Sequence, residues 1–184
     1  MVDELMNKLI INELINKSMN FKMKICVVSD SHTETKNLQK VIDKAEFDVL
    51  IHLGDDYGDT DKIKITTEFI RVPGVYDKEY FDKTIDGRII KKFGKFRFLL
   101  THTVDSHEND SEAGVLIKPE DLYKEGKVDA VLFGHTHIPE IFYRTGKYDH
   151  KIRLRFARDI CSYIRKSENF KIMKIEDFRN IENF

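Results

Sequence analysis

Cysteine is scarce in this chain. Cys26 and Cys161 are the only two in 184 residues, far apart and in no Cys-x-x-Cys pair. They make no disulfide framework, and the expectation is a reducing, cytoplasmic setting. Long apolar runs are missing as well, and none approaches the roughly 20 residues of a spanning helix. The N-terminus carries Asp3 and Glu4 without a continuous apolar core, so it lacks the pattern of a signal peptide. An excess of one charge sign is also absent. Lys and Arg number 31 against 32 Asp and Glu, a formal net charge of −1, which excludes the basic footprint of a dedicated nucleic-acid binder. No aromatic-studded basic groove marks a nuclease. Repeats, low-complexity tracts and composition breaks are missing, so the length reads as one domain with a sizeable core.

Against that background, residues 1–22 stand apart. Leu5, Met6, Leu9, Ile10, Leu14 and Ile15 recur at helical spacing and predict an amphipathic helix. Such a helix suits docking on the body, on a second copy or on a protein partner. Its polar face mixes signs and lacks the Lys/Arg enrichment of a membrane-surface helix. The domain proper is expected to run from Met23 over residues 23–184.

Lys24 to Ser29 reads as a buried strand with Asp30-Ser31-His32 at its carboxyl end. Thr33 or Thr35 is placed to cap a helix whose apolar stripe is Leu38, Val41, Ile42 and Ala45. Val49 to Leu53 is a second strand emptying into Gly54-Asp55, and the three elements make a βαβ unit. Residues 58–67 have no clear pattern. Phe69 to Val72 forms a third strand, ended by Pro73-Gly74 and followed by Val75-Tyr76-Asp77. Arg88 to Phe93 and Phe96 to Thr101 form a hairpin around Gly94-Lys95 and deliver His102. Pro119 and Gly126 frame a short helix. Val131 to Phe133 is a short buried strand ending in Gly134-His135-Thr136-His137. Glu140 to Thr145 and Lys151 to Phe156 make a second hairpin, whose Arg153 and Arg155 read as the solvated face of an antiparallel strand. Phe170 to Ile175 is a closing strand. His52, His107 and His150 attract no role.

Asp30, His32, Asp55, His102, His135 and His137 all lie beyond strand ends, where open α/β sheets gather ligands. Any one fragment alone reads as a turn. Together they form a carboxylate-and-imidazole set without thiolate, which suits Mn²⁺, Fe or Zn²⁺. Asp55 is the odd carboxylate that can bridge two ions.

Asp30-x-His32, Gly54-Asp55, Gly74-x-x-Asp77, Thr101-His102 and Gly134-His135-Thr136-His137, in that order, resemble the calcineurin-like metallophosphoesterases. The likeness spans about Met23 to Ile175. It is nearest to the small single-domain phosphodiesterase branch that also contains the retromer subunit Vps29. The resemblance implies an α/β (α+β) sandwich of two mixed sheets flanked by helices. It implies two divalent ions, Mn²⁺ first, with Zn²⁺, Fe or Ni²⁺ as alternatives. One ion would be held by Asp30, His32, Asp55 and His137. The other would be held by Asp55, His102, His135 and an asparagine.

Three positions depart from the family pattern. The asparagine and histidine before Asp77 are Val75 and Tyr76, a residue that cannot coordinate and a poor proton donor of pKa about 10. The second histidine of Thr-His-Gly-His is Val104. The late Asn-Pro-Gly-Ser turn reads Asp159-Ile160-Cys161-Ser162. The expected function is metal-dependent hydrolysis of a small phosphorylated substrate, a phosphodiester first, by a metal-activated hydroxide. The second site would be weakened, Tyr76 would stand in the acid's place, and Asp77 would orient it. The rival expectation is a non-catalytic interaction module on the same fold.

Overall fold

The computed structural model describes residues 23–137 and the strands at 141–145, 151–156, 158–159 and 173–174. The helix expected within residues 1–22 lies outside the described residues. So do the side chains of Arg153 and Arg155 and most of the expected closing strand, of which Met173–Lys174 is described.

The first sheet begins with β1 (Lys24–Ser29), α1 (Thr35–Lys44), β2 (Val49–His52) and β3 (Glu68–Arg71). β1, β2 and β3 are parallel, with Ile25 opposite Val49 and Val49 opposite Glu68. The second sheet begins with the hairpin β4 (Arg88–Phe93) and β5 (Phe96–Thr101), which turns at Gly94 with φ +59°. Two short helices follow, α2 (Asp110–Ala113) and α3 (Pro119–Lys124), and then β6 (Ala130–Phe133), parallel to β5. β7 (Ile141–Thr145) and β8 (Lys151–Phe156) form the second expected hairpin, and β8 also pairs parallel with β6. β8 is therefore an interior strand of a mixed sheet rather than a purely antiparallel one. β9 (Arg158–Asp159) and β10 (Met173–Lys174) return to pair with β1. Among the described residues the orders are β10-β1-β2-β3, with β9 beside β1, and β4-β5-β6-β8-β7.

Strand alternation explains the layering, because successive side chains point to opposite faces. Ile25, Val49 and Ile51 face inward to meet Phe98, Leu100, Ala130 and Leu132 of the other sheet, forming the central core. Cys26, Val28 and Leu50 face outward and are covered by Leu38 and Val41 of α1. Leu99, Val131 and Phe133 face outward on the second sheet and meet Tyr123 of α3. Both faces of β2 and β6 are buried, which is why these two strands read as unbroken apolar runs. Each such aliphatic side chain contributes roughly 1.5–3 kcal/mol. The fold is therefore two mixed sheets packed together and flanked by helices, as the sequence predicts.

Two local expectations change. Neither Thr33 nor Thr35 caps α1; Glu34 occupies the cap position without a side-chain bond. The Thr33 N–H instead donates to Asp59 Oδ2 at 2.7 Å. The unpatterned stretch at 58–67 opens with a 3₁₀ turn, Tyr57–Lys62. Arg71 holds that turn by reaching the Tyr57 carbonyl and Thr60 Oγ1, with its guanidinium 3.8 Å over the Tyr57 ring.

Candidate metal centre

The carboxyl ends of β1, β2, β5 and β6 converge on one edge of the sandwich. Backbone hydrogen bonds stitch those ends together. Asp30 N–H donates to Gly54 O at 2.8 Å, and Gly134 N–H donates to His102 O at 2.9 Å. Glycine is required where the chains approach most closely. A Cβ on Gly74 would overlap the Asp55 carboxylate, and one on Gly54 would come within 2.8 Å of His102 Nδ1.

All six expected ligands meet there in two groups. Asp30, His32, Asp55 and His137 have donor atoms within 4.8 Å of one another, as do Asp55, His102 and His135. Asp55 belongs to both, and its two oxygens divide between them. Oδ2 lies 3.6 Å from His32 Nε2 and Oδ1 lies 3.2 Å from His102 Nε2. His137 Nε2 is 3.4 Å from Asp30 Oδ1. The imidazoles also crowd in pairs, with His32 Nε2 3.3 Å from His137 Nε2 and His102 Nε2 3.2 Å from His135 Nδ1.

The backbone is strained to achieve this. Asp30, His32, Asp55, His135 and His137 all have positive φ, between 44° and 75°. That region costs a non-glycine residue on the order of 1 kcal/mol or more, and such strain persists where the surroundings impose it. Five of the six candidate ligands carry it. The sixth, His102, directly follows β5 and needs no sharp turn.

Neighbours fix the donors. His102 Nδ1–H donates to the Leu53 carbonyl at 2.7 Å, which leaves Nε2 to face Asp55. Burial lowers the His102 pKa to about 4 despite the opposing pull of Asp55. His135 is lowered in the same direction, again chiefly by burial. Both rings are therefore neutral near pH 7, the form that binds metal. Asp30 is fully buried, accepts the His135 N–H at 3.1 Å and is bonded by the Ser29 hydroxyl. Asp56, next to the shared carboxylate, places Oδ2 3.7 Å from His32 Nδ1. Carboxylates and imidazoles facing one another, with ring nitrogens aimed at ring nitrogens, fit hard-to-borderline divalent cations.

The remaining sequence candidates lie around this centre. Asp77 accepts N–H bonds from Gly74, Asp56 and Tyr57 at 2.7, 3.0 and 3.2 Å, clasping two loops. Burial raises its pKa, opposed by those three bonds. Tyr76 is 68% exposed and touches His107 edge-on. Val75 is buried with Tyr80 and Ala113. Val104 packs against the cluster under α3.

Sequence reasoning missed three supports. His52 is fully buried behind the centre. Gly54 N–H donates to its Nδ1, so Nε2–H donates to Ser31 Oγ, which in turn donates to Asp59 Oδ2. Arg88, also buried, binds Asp110 at 2.7 Å together with Thr103 Oγ1 and the Ile117 carbonyl. His107 stands with its ring 6.0 Å from that of His135. A polar residue at an outward-facing strand position, such as His52 in Val-Leu-Ile-His, was the one visible signal.

The family model described as the calcineurin-like phosphoesterase superfamily domain matches residues 23–154. Vps29 from Chaetomium thermophilum aligns with a TM-score of 0.52 at 14% identity, covering 76% of this chain and 71% of that one. A double mutant of Vps29 from Entamoeba histolytica aligns at 0.51 and 19% identity, covering 74% of each chain. A Thermotoga maritima protein solved by NMR in solution aligns at 0.50 and 20% identity, covering 83% and 96%. These likenesses are of fold. Among curated proteins, nothing matches the chain.

Proposed function

Because the chain belongs to the calcineurin-like phosphoesterase superfamily, we propose that it is a metal-dependent phosphoesterase acting on a small phosphodiester. The observation that carries the reading is the division of the Asp55 oxygens between two donor groups. Asp30, His32, Asp55 and His137 would hold one ion, and Asp55, His102 and His135 the other, with Mn²⁺ the ion proposed. Bound there, such ions supply Lewis-acid charge for phosphoryl oxygens and lower the pKa of water.

The chain's own residues set the stage for that chemistry. His102, oriented by the Leu53 carbonyl, and His135, fixed through its N–H to Asp30, present neutral lone pairs inward. Asp77 acts as a positioning residue, since its oxygens are already committed to three backbone N–H groups. Tyr76 stands at the rim, where an exposed phenol can touch a leaving group without coordinating anything. The second donor group has three protein ligands and is the weaker of the two, leaving positions for substrate.

One observation favours the second reading, an interaction module. Val75 is buried where the family places an asparagine, and its neighbour Tyr76 offers an exposed aromatic anchor. The discriminating assay is hydrolysis of bis(para-nitrophenyl) phosphate by metal-stripped protein before and after Mn²⁺ is added. The phosphoesterase reading predicts turnover that appears with metal and saturates. Metal binding without turnover would put the interaction module first.

A further inference from the structure

The loop between β5 and α2 carries a histidine outside both donor groups. The half-buried His107 ring stands edge-on to His135 at 6.0 Å between centroids and edge-on to Tyr76 at 5.6 Å. Its Nδ1 accepts the Asn109 N–H at 3.2 Å, which makes Nε2 the protonated nitrogen of the neutral ring. The ring is not adrift on its loop. The His107 N–H donates to Asp110 Oδ2 at 3.0 Å, and Asp110 is clamped by buried Arg88 and by the Tyr80 hydroxyl. Asn109 Nδ2 ties the same loop to the Val75 carbonyl at 2.9 Å, beside Tyr76. A fixed N–H donor is thus built onto the rim next to the second donor group, from the same loop that begins with the candidate ligand His102.

The geometry points to His107 as a substrate-contacting residue, its Nε2–H donating a hydrogen bond to a non-bridging oxygen of a phosphoryl group seated against His135. The inference rests on the phosphoesterase reading and names the side of the centre on which the phosphoryl group lies. A neutral imidazole suffices for this contact, because an N–H donor facing an anionic oxygen needs no charge of its own. The bond forms with the bound ground state and persists in the transition state, so its loss raises KM more than it lowers kcat.

The test compares the Mn²⁺-loaded full chain with His107→Ala, His107→Phe and His107→Gln. Phe keeps a ring against Tyr76 and His135 but has no N–H, whereas Gln restores a donor at similar reach. Hydrolysis of bis(para-nitrophenyl) phosphate and its inhibition by inorganic phosphate are followed alongside bound Mn²⁺. The expected result is that Ala and Phe raise KM and weaken phosphate inhibition by roughly tenfold or more, with bound Mn²⁺ unchanged and Gln recovering most of the loss. Ala and Phe variants within twofold of the parent would overturn the assignment, as would a Gln variant as impaired as Phe. A parent that hydrolyses nothing would sink the phosphoesterase reading alone. The assignment is then judged by calorimetric binding of inorganic phosphate to the Mn²⁺-loaded chain. Weaker binding by the Phe variant than by the parent sustains it, and equal or absent binding overturns it.

Discussion

His52 belongs to neither donor group, yet acid should act on the fold through it. Burial lowers its pKa from 6.5 to about 4. Between those values the unfolded chain takes up a proton that the folded chain refuses. Its stabilising contribution is therefore complete above pH 6.5 and is lost as pH falls toward 4. Replacing it in the metal-free protein by His52→Gln should flatten the dependence of unfolding free energy on pH in that window by about 1.4 kcal/mol per pH unit. Urea melts at several pH values measure it, and an unchanged slope would mean that the ring is not buried neutral. Val75 resists substitution for a different reason. Its side chain lies among Tyr80, Ala113 and Val115, so Val75→Asn would bury an amide in apolar surroundings. The expected outcome is a loss of about 1–3 kcal/mol of stability without tighter metal binding. A variant as stable as the parent that binds Mn²⁺ more strongly would show that the side chain can swing to the centre. Residue identities made the six candidate ligands legible in the sequence, because charged and imidazole groups directly after apolar strands are conspicuous. The left-handed backbone of five of them was not legible, since only glycine advertises positive φ.

Among the elements, the hairpin β4–β5 does more than its sequence indicated. Its alternating pattern and its turn at Gly94-Lys95 were readable, and so was delivery of His102 at its end. Not readable was that Arg88, at the start of β4, turns inward to fasten the loop after His102. The Arg88 side chain is 1% exposed and is paired with Asp110, 22 residues away. A long loop hides such pairings because side-chain partners across it have no fixed spacing. Removing one member leaves a buried charge uncompensated, so Arg88→Met should cost about 3–5 kcal/mol, seen as a lower midpoint in denaturant. A loss below 1 kcal/mol would mean that Asp110 finds water or another partner. The cap of α1 was misread for a related reason. Thr33 is drawn away by Asp59, a residue contributed by the 3₁₀ turn that the sequence pattern left undefined.

For the molecule as a whole, both donor groups and the described part of the core between the sheets lie within residues 23–137. A chain starting at Met23 is therefore expected to fold and to bind the same number of metal ions as the full chain; expression only as aggregate would show that residues 1–22 complete the core. The two-sheet sandwich was legible because its strands announce themselves by apolar runs and turn residues. The convergence of their ends was inferred from the rule for parallel strands and from family resemblance, not from any single fragment. The central claim is that one carboxylate serves two cation sites, and bound metal measures it directly. Mn²⁺ binding at equilibrium should be counted for the parent, Asp55→Ala, His137→Ala and His102→Ala. If Asp55 bridges, the parent binds two ions, each histidine variant weakens one site, and Asp55→Ala loses more bound metal than either. A stoichiometry unchanged by Asp55→Ala would contradict the account.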